Sequence, residues 1–309
     1  MSRVTSFYAR LDHRGTLALL GPDARKFLQG QVTCDIETLD EQHSITGAFC
    51  TPKGRMICDF RLLQLTPEEI LMLVEADVVE PALAAFRKYI VFSKAEIDTA
   101  SEDWIQAAVW GDGATGLIGA ADRKAGDCWQ EDGAIWTVVD ESALEICCPH
   151  SQWTALEQRL DSIADAIDAA RYRAREIASG TGHVRGLTVE EFLPQMLNYQ
   201  LTDRVSFTKG CYTGQEVVAR MHYRGKLKRA MLLASAAEGE AAPGDALYAI
   251  GGEQEVGQVV NAEADETGGV ALLAVISLNA LDGGISLGRD GPELGFPPMP
   301  YALESDDSG

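Results

Sequence analysis

The sequence predicts an α+β fold that ends in a small antiparallel β-barrel, and three observations carry that expectation. Strand-like and helix-like segments alternate along the first part of the chain, but hairpins interrupt them, which favours mixed sheets over a doubly wound parallel sheet. From Ala230 onward the texture changes to short apolar runs separated by glycine-rich, acidic turns, as in a small barrel. At 309 residues the chain also exceeds the usual size of one hydrophobic core, so two or more packed units are expected. The change of texture puts the boundary near Lys228, dividing the chain into residues 1–228 and 229–309.

The elements follow in order. Residues 17–20 form a short apolar strand that stops at Gly21-Pro22. Residues 23–30 read as a helix, with Phe27 and Leu28 on one face and Asp23 in the first turn, where negative charge is favoured. Residues 44–50 and 55–65 read as two strands of a hairpin joined by the turn Thr51-Pro52-Lys53-Gly54. A strand over 70–74 precedes a helix over 76–89, with Val79, Leu83 and Phe86 at helical spacing. Residues 89–97 then enter a further strand. The strand over 104–110 runs into Gly111-Asp112-Gly113-Ala114-Thr115-Gly116, which has the letters of a dinucleotide-binding loop, and Asp132 lies where a ribose-binding acid would sit. Such a loop needs a complete βαβ unit with a real helix after the glycines. Only a short segment, 117–124, intervenes before Gly126, so the stretch reads as a turn of a sheet. Strands over 134–139 and 143–148 lead to a helix over 153–163, for which Ser151 is a candidate cap. A helix over 168–179 stops at Gly180. The barrel strands are 231–234, 247–250, 255–261 and 270–275.

Composition narrows the function. Hydrophobic residues make up 46% and prolines number 11, as in an ordinary folded protein. The net charge of −21 disfavours general binding to nucleic acid or anionic membranes, so any anion site must be a local basic island. The seven cysteines (34, 50, 58, 128, 147, 148 and 211) form no regular framework and include no C-x-x-C pair. That suits a reducing compartment and argues against a zinc site or a cluster held by the chain itself. No basic region followed by an apolar run opens the sequence, and its most apolar stretch, 269–281, is too short to span a bilayer. The expectation is a cytoplasmic protein with no metal site and no membrane partner.

The chemistry concentrates in Lys209-Gly210-Cys211-Tyr212-Thr213-Gly214-Gln215-Glu216. Glycines at 210 and 214 allow tight turning and close approach to a ligand. A helix from Gln215 would point free N–H groups and its positive dipole end back toward Cys211. With Lys209 this would favour the thiolate, the reactive form of cysteine. The ordinary alternative is a buried cysteine in a tight turn. Just beyond lies the basic island: Arg220, His222, Arg224, Lys226, Lys228 and Arg229. It reads either as a solvated helix end or as an anion site, and a polyglutamate tail or an RNA phosphate would both suit the latter.

The eight-residue motif at 209–216 resembles the signature of the YgfZ family of folate-binding, iron–sulfur-related proteins, which are similar in fold to the T-protein (aminomethyltransferase) of the glycine cleavage system. Other stretches carry the same resemblance: G-x-D-A-x-x-F-L-Q-G-Q-V-T-x-D at 21–35, T-P-K-G-R at 51–55, K-Y-I-V-F-S-K at 88–94, F-L-P-Q-x-x-N at 192–198 and M-P-Y at 299–301. The resemblance implies a T-protein-like folate-binding fold of three lobes in a ring, closed by the C-terminal barrel. It implies tetrahydrofolate or another folate as cofactor, and a role in maintaining iron–sulfur enzymes, including those that modify tRNA, without classical turnover. Cys211 would be the acting residue, Lys209 would favour its thiolate, and Gln215 and Glu216 would shape the turn. Tyr172, Glu176, Arg14 and Asp59 are the expected folate-side residues, with Arg220 and Arg224 as cations.

Three departures from the T-protein pattern stand out. Its Arg-x-Glu-x-Gly glutamate falls at Ala178, leaving Glu176 as the nearest carboxylate. Its paired carboxylates are Cys58-Asp59. Its G-G-x-S-F entry is Asp203-Arg204-Val205-Ser206-Phe207. The enzyme alternative is a tetrahydrofolate-dependent methyl or aminomethyl transferase relying on Asp59, and the loss of one carboxylate weighs against it. A third reading is an RNA-binding module with weak tRNA contact through the basic island.

Overall fold

The computed structural model describes residues 6–117, 119–225, 228–265 and 268–303. The chain groups into two compact units that are not contiguous in sequence: Met1–Gly47 with Phe60–Tyr172, and Ala48–Asp59 with Arg173–Gly309.

The first unit takes β1 (Ser6–Arg10), β2 (Arg14–Leu20), α1 (Ala24–Gln29), the start of β3 (Ile45–Cys50) and the greater part of β4 (Met56–Thr66). It continues through β5 (Glu69–Glu75), α2 (Val79–Phe86), β6 (Glu96–Thr99), β7 (Trp104–Gly111) and the single turn α3 (Ala114–Leu117). It ends with β8 (Cys128–Glu131), β9 (Ala134–Asp140), β10 (Ala143–Pro149), α4 (Trp153–Asp161), β11 (Asp165–Ala166) and the first residues of α5 (Ala169–Ala178). One sheet has the order β11-β1-β7-β10-β9-β8, and the other β3-β4-β5-β2-β6.

Period-two alternation on β10 decides what packs where. Ile146 and Cys148 face α4 and join Tyr8, Val109, Trp136, Trp153, Leu156 and Leu160 in one core. Cys147 faces the other way and packs with Leu63, Leu71, Leu73 and Ile135. Glu145 shares the face of Cys147 and is buried. Arg14 Nη1 donates to it at 3.0 Å, Arg61 Nε at 2.9 Å and the Tyr172 hydroxyl at 3.1 Å. Arg14 also approaches Glu75, at 3.7 Å. Burial pushes the Glu145 carboxyl up, but the two guanidiniums outweigh it and hold the group well below the usual carboxylate range.

The second unit takes the hairpin tip, Ala48–Asp59, and then the rest of α5, the helix α6 (Gln215–Arg224), and β12 (Arg229–Ala236), β13 (Ala246–Ala249), β14 (Glu255–Ala264), β15 (Val270–Ser277) and β16 (Ile285–Leu287). The five strands form a wholly antiparallel sheet, order β12-β15-β14-β13-β16. The segment 293–295 bridges both edges. Leu294 N–H donates to Ile285 O at 2.8 Å beside β16, and Gly295 and Ser235 exchange bonds of 2.8 and 2.9 Å beside β12. The expected C-terminal barrel is thus present, around Leu247, Val259, Leu272, Ile276 and Ile285.

The end of the described chain ties this barrel to α5. Gly180 turns the helix end with φ +69, and a Cβ there would lie 2.7 Å from the Tyr301 ring. The Tyr301 hydroxyl donates to Gly180 O at 3.0 Å and accepts from Asn198 Nδ2 at 3.2 Å.

Two local expectations are corrected. Residues 90–92 form a 3-10 turn, and strand β6 begins only at Glu96. Ser151 lies inside a 3-10 turn, Gln152 takes the cap position of α4, and no side chain caps it. The glycines at 111 and 113 sit at φ +121 and +78, and the one-turn α3 that follows provides no helix for a nucleotide loop. Among the described residues no helix is long and apolar enough to cross a membrane. Lys226 and the tail 304–309 lie outside the described residues.

Because Glu145 neutralises two buried guanidiniums, Glu145→Ala should cost about 3–5 kcal/mol in chemical denaturation, as expected when one member of a buried ion cluster is removed. A loss under about 1 kcal/mol would contradict the assignment.

Candidate functional site

The two sharpest sequence motifs prove to be two sides of one contact in the second unit. The turn Thr51–Gly54 is closed by Gly54 N–H to Thr51 O at 2.8 Å, with Gly54 at φ +73. Gly214 sits at φ +85, and a Cβ on it would lie 2.5 Å from Thr51 O and 3.1 Å from Gly54 Cα. Only glycine permits that approach and that backbone conformation. The hairpin tip thereby fixes the start of α6. Gln195 holds the same helix from another direction, with Nε2 donating to Val218 O at 2.6 Å.

Cys211 is exposed, whereas the other six cysteines are buried. Burial pushes the Cys50 thiol up to about 12 and the Cys148 thiol up to about 11, so both stay protonated and inert near neutral pH. Lys209 is buried, with Nζ 5.1 Å from the Tyr212 ring centroid. Within the turn, Gln215 Oε1 accepts from Tyr212 N–H at 3.3 Å. Glu216 is exposed in the first turn of α6. Three amides at the start of the helix are spent within the turn rather than on the thiol. Gln215 N–H donates to Tyr212 O, and Val217 and Val218 N–H donate to Gly214 O. Gly210 has open space where its Cβ would be and an ordinary φ, so the fold does not demand a glycine there.

A second cluster lies at the base of the hairpin tip. Asp59 is buried on β4. Its Oδ1 accepts from Val184 N–H at 2.7 Å, and its Oδ2 from His183 Nδ1 at 2.7 Å and Arg204 Nη1 at 3.4 Å. The other ring nitrogen of His183 is 3.2 Å from Glu176 Oε1, so a protonated ring donates to both carboxylates. A bulge in β14 at Val260 turns Asn261 toward this segment, and Asn261 Oδ1 accepts His183 N–H at 2.7 Å. Burial opposes charge on His183, but Asp59 and Glu176 outweigh it and raise the ring to about 10. Burial would raise Asp59, but His183, Arg204 and the Val184 N–H hold it below its ordinary value. Arg204, one of the two residues that replace a glycine pair, supplies that cation and lies 4.8 Å over the Tyr199 ring. Asp203 before it keeps the left-handed φ of +55 that glycine would adopt freely.

The structure thus brings Asp59 and Glu176 together through His183, which the sequence reading missed. Its only signal there is a lone histidine just after Gly180 and Gly182. It does not add Tyr172 or Arg14 to this group. Tyr172 has no accessible surface and packs tilted against Trp110, with ring centroids 5.2 Å apart, and Arg14 is committed to Glu145 and Glu75. Both contribute packing and charge balance, and neither presents a face to a ligand. Arg220 is exposed on α6, and the side chain of Arg224 lies outside the described residues. Among the described residues no group of histidines, cysteines and carboxylates could hold a metal ion.

A general base needs a free lone pair and a pKa near the working pH. Asp59 accepts three donors, two of them cationic, and its pKa is moved down, away from the working pH, so this geometry does not support the Asp59-dependent transfer that an aminomethyltransferase reading requires.

Residues 9–130 match the family of the GCVT N-terminal domain. The fold is that of the glycine cleavage T-protein: a crystal structure of glycine cleavage system aminomethyltransferase T from Bartonella henselae superposes with a TM-score of 0.76 at 15% identity, covering 97% of this chain and 87% of that one. Within that class the sequence is 33% identical over 296 residues to the tRNA-modifying protein YgfZ of Photobacterium profundum (88% of this chain, 83% of the relative). It is 31% identical over 307 residues to the tRNA-modifying protein YgfZ of Sodalis glossinidius (95% and 92%). The chain belongs to the YgfZ family.

The Asp59–His183–Glu176 cluster sets a pH signature. His183 is raised in the folded state, so its contribution is complete below its ordinary value near 6.5 and is lost as pH climbs through about 10. Asp59 is depressed, so its contribution is present above its ordinary value near 3.8 and fades as pH falls below it. Denaturation of wild type and His183→Gln should therefore differ most between about pH 5 and 6.5, by about 3 kcal/mol, and converge toward pH 10. A gap that stays flat across this range would refute the pairing.

Proposed function

We propose that this protein is a folate-binding accessory factor for the assembly or repair of iron–sulfur enzymes, including those that modify tRNA, and that it acts through Cys211. The carrying observation is the exposure of Cys211 while six other thiols are buried. The thiol sits on a loop whose position is fixed by the Gly54–Gly214 contact and whose neighbour Gly210 leaves open space beside it. Such a loop can present a thiol to a large partner without internal strain. The tRNA link follows the name that the relatives carry.

Tetrahydrofolate or another folate is the cofactor in this reading, bound by the region 1–228, with 229–309 as the small barrel. Its acidic glutamyl end suits Arg220 and Arg224, and Glu176 is the carboxylate offered to the pterin side. Tyr172 and Arg14 are too deeply committed to the core to touch it. When bound, folate would supply a one-carbon carrier or a regulatory ligand. Lys209 holds positive charge in the same turn as Cys211. The alternative, a folate-dependent one-carbon transferase, would need Asp59 as an available base.

The test is complementation. In cells lacking their own copy, wild type should restore methylthiolated tRNA and iron–sulfur enzyme activity. Cys211→Ser should fail at both while remaining folded and binding folate. Full restoration by the serine variant would show the thiol to be dispensable and reopen the transferase reading.

A further inference from the structure

The sequence in and beyond α6 departs from the rest of the chain. In a protein with 47 acidic residues, the run from 217 to 237 contains no carboxylate and carries five cations: Arg220, Arg224, Lys226, Lys228 and Arg229. The structure adds something the charge pattern alone does not contain. The His222 ring lies parallel to Phe207, with centroids 3.8 Å apart and planes 12° apart. Tyr223 stands edge-on to both, 4.8 Å from His222 and 6.3 Å from Phe207. Two of the three rings are at the surface, His222 exposed and Tyr223 66% exposed, while Phe207 is half-buried behind them. Ordinary packing does not account for two aromatic rings held in water at the end of a helix.

Arg220 is exposed and lies one turn before Tyr223, on neighbouring positions of the helix surface. Lys228 and Arg229 are exposed just beyond the helix. The one carboxylate on α6, Glu216, is in its first turn, away from the trio.

We propose that Phe207, His222 and Tyr223, with Arg220, Lys228 and Arg229, form a platform for an unpaired segment of RNA. Stacked rings beside cations are the chemistry that binds single-stranded nucleic acid: an aromatic face takes a base and the cations take phosphates. The openness of the rings separates their stacking faces from a pterin site, since small ligands are enclosed in concave pockets, while Arg220, offered above to a folate glutamyl end, can meet a phosphate equally well. The strongly acidic remainder of the chain repels the rest of the polyanion and confines contact to this patch. The choice of RNA over DNA rests on the tRNA-linked function proposed above, but the platform itself does not depend on Cys211.

Fluorescence anisotropy on the full chain tests this, using a labelled unpaired 12-nucleotide RNA, the same sequence as DNA, and a duplex RNA. The unpaired RNA should bind best. Three phosphate contacts give a salt slope near −2, or roughly a twentyfold weakening between 50 and 200 mM salt. Tyr223→Ala should weaken binding by about five- to 150-fold, the range seen for loss of one stacked base. His222→Ala and Arg220→Gln should also weaken it, and Cys211→Ser should bind as wild type. A platform that fails thus leaves the thiol reading to be judged separately by complementation. The proposal is overturned if wild type binds no RNA at 50 mM salt, if Tyr223→Ala binds equally well, or if duplex RNA is preferred. Equal binding of DNA overturns the choice of RNA. Binding of a folate polyglutamate in place of RNA, lost in Tyr223→Ala, reassigns the patch and also overturns it.

Discussion

One buried carboxylate organises the second unit. Asp59 ends the short stretch that the hairpin contributes, and the remainder of the unit begins more than a hundred residues later, at Arg173. The Val184 amide, the His183 ring and Arg204 converge on Asp59 from that later stretch. A buried carboxylate is tolerable only when its charge is met and its oxygens are bonded. Meeting both conditions forces the hairpin, the segment after α5 and the loop at Arg204 into one arrangement. Backbone bonds then extend the junction: Met56 N–H donates to Phe192 O and Glu190 N–H to Met56 O, each at 2.8 Å. The Gly54–Gly214 contact completes it and places the Cys211 loop.

That junction also bears on what Asp59 can do in this fold. The superposition on an aminomethyltransferase at 15% identity fixes architecture and leaves the site open. Here the first carboxylate of the T-protein pair is Cys58, buried with its thiol pushed well up by burial. The second is locked in an ion cluster, and one of the two residues standing in place of glycines is the arginine that helps lock it. The exposed thiol is Cys211, on the connection between the 3-10 turn at Tyr199–Leu201 and α6.

Much of this was legible in the sequence where the signal is local. The hairpin around Thr51–Gly54, the helix from Gln215, the stop at Gly180 and the barrel texture after Ala230 each depend on short-range periodicity or on a glycine that must turn. Gly214 and Gly180 indeed hold positive φ. Strands β1 and β11 are not legible locally, because β1 pairs with β11 and with β7 across long stretches of chain, and β11 is only two residues long; β8 is a four-residue edge strand on β9. Ile90-Val91-Phe92 reads as strand by composition but forms a 3-10 turn, with Val91 and Phe92 exposed. The family resemblance places Tyr172 and Arg14 on the folate side, whereas the buried Glu145 that claims both sits on a strand from another part of the sequence. His183 could not be found from spacing, since its two carboxylates come from β4 and α5.

The account stands most directly on the charge of one ring. Asp59 is unavailable as a base only if His183 is a cation held between two carboxylates. Nitrogen-detected NMR of histidine-labelled protein, with His183→Gln for assignment, reads this without perturbing the site. The expected result is a His183 ring doubly protonated through pH 8 and titrating near 10. A ring that titrates near the ordinary value of about 6.5 would contradict it and return Asp59 to the list of possible bases.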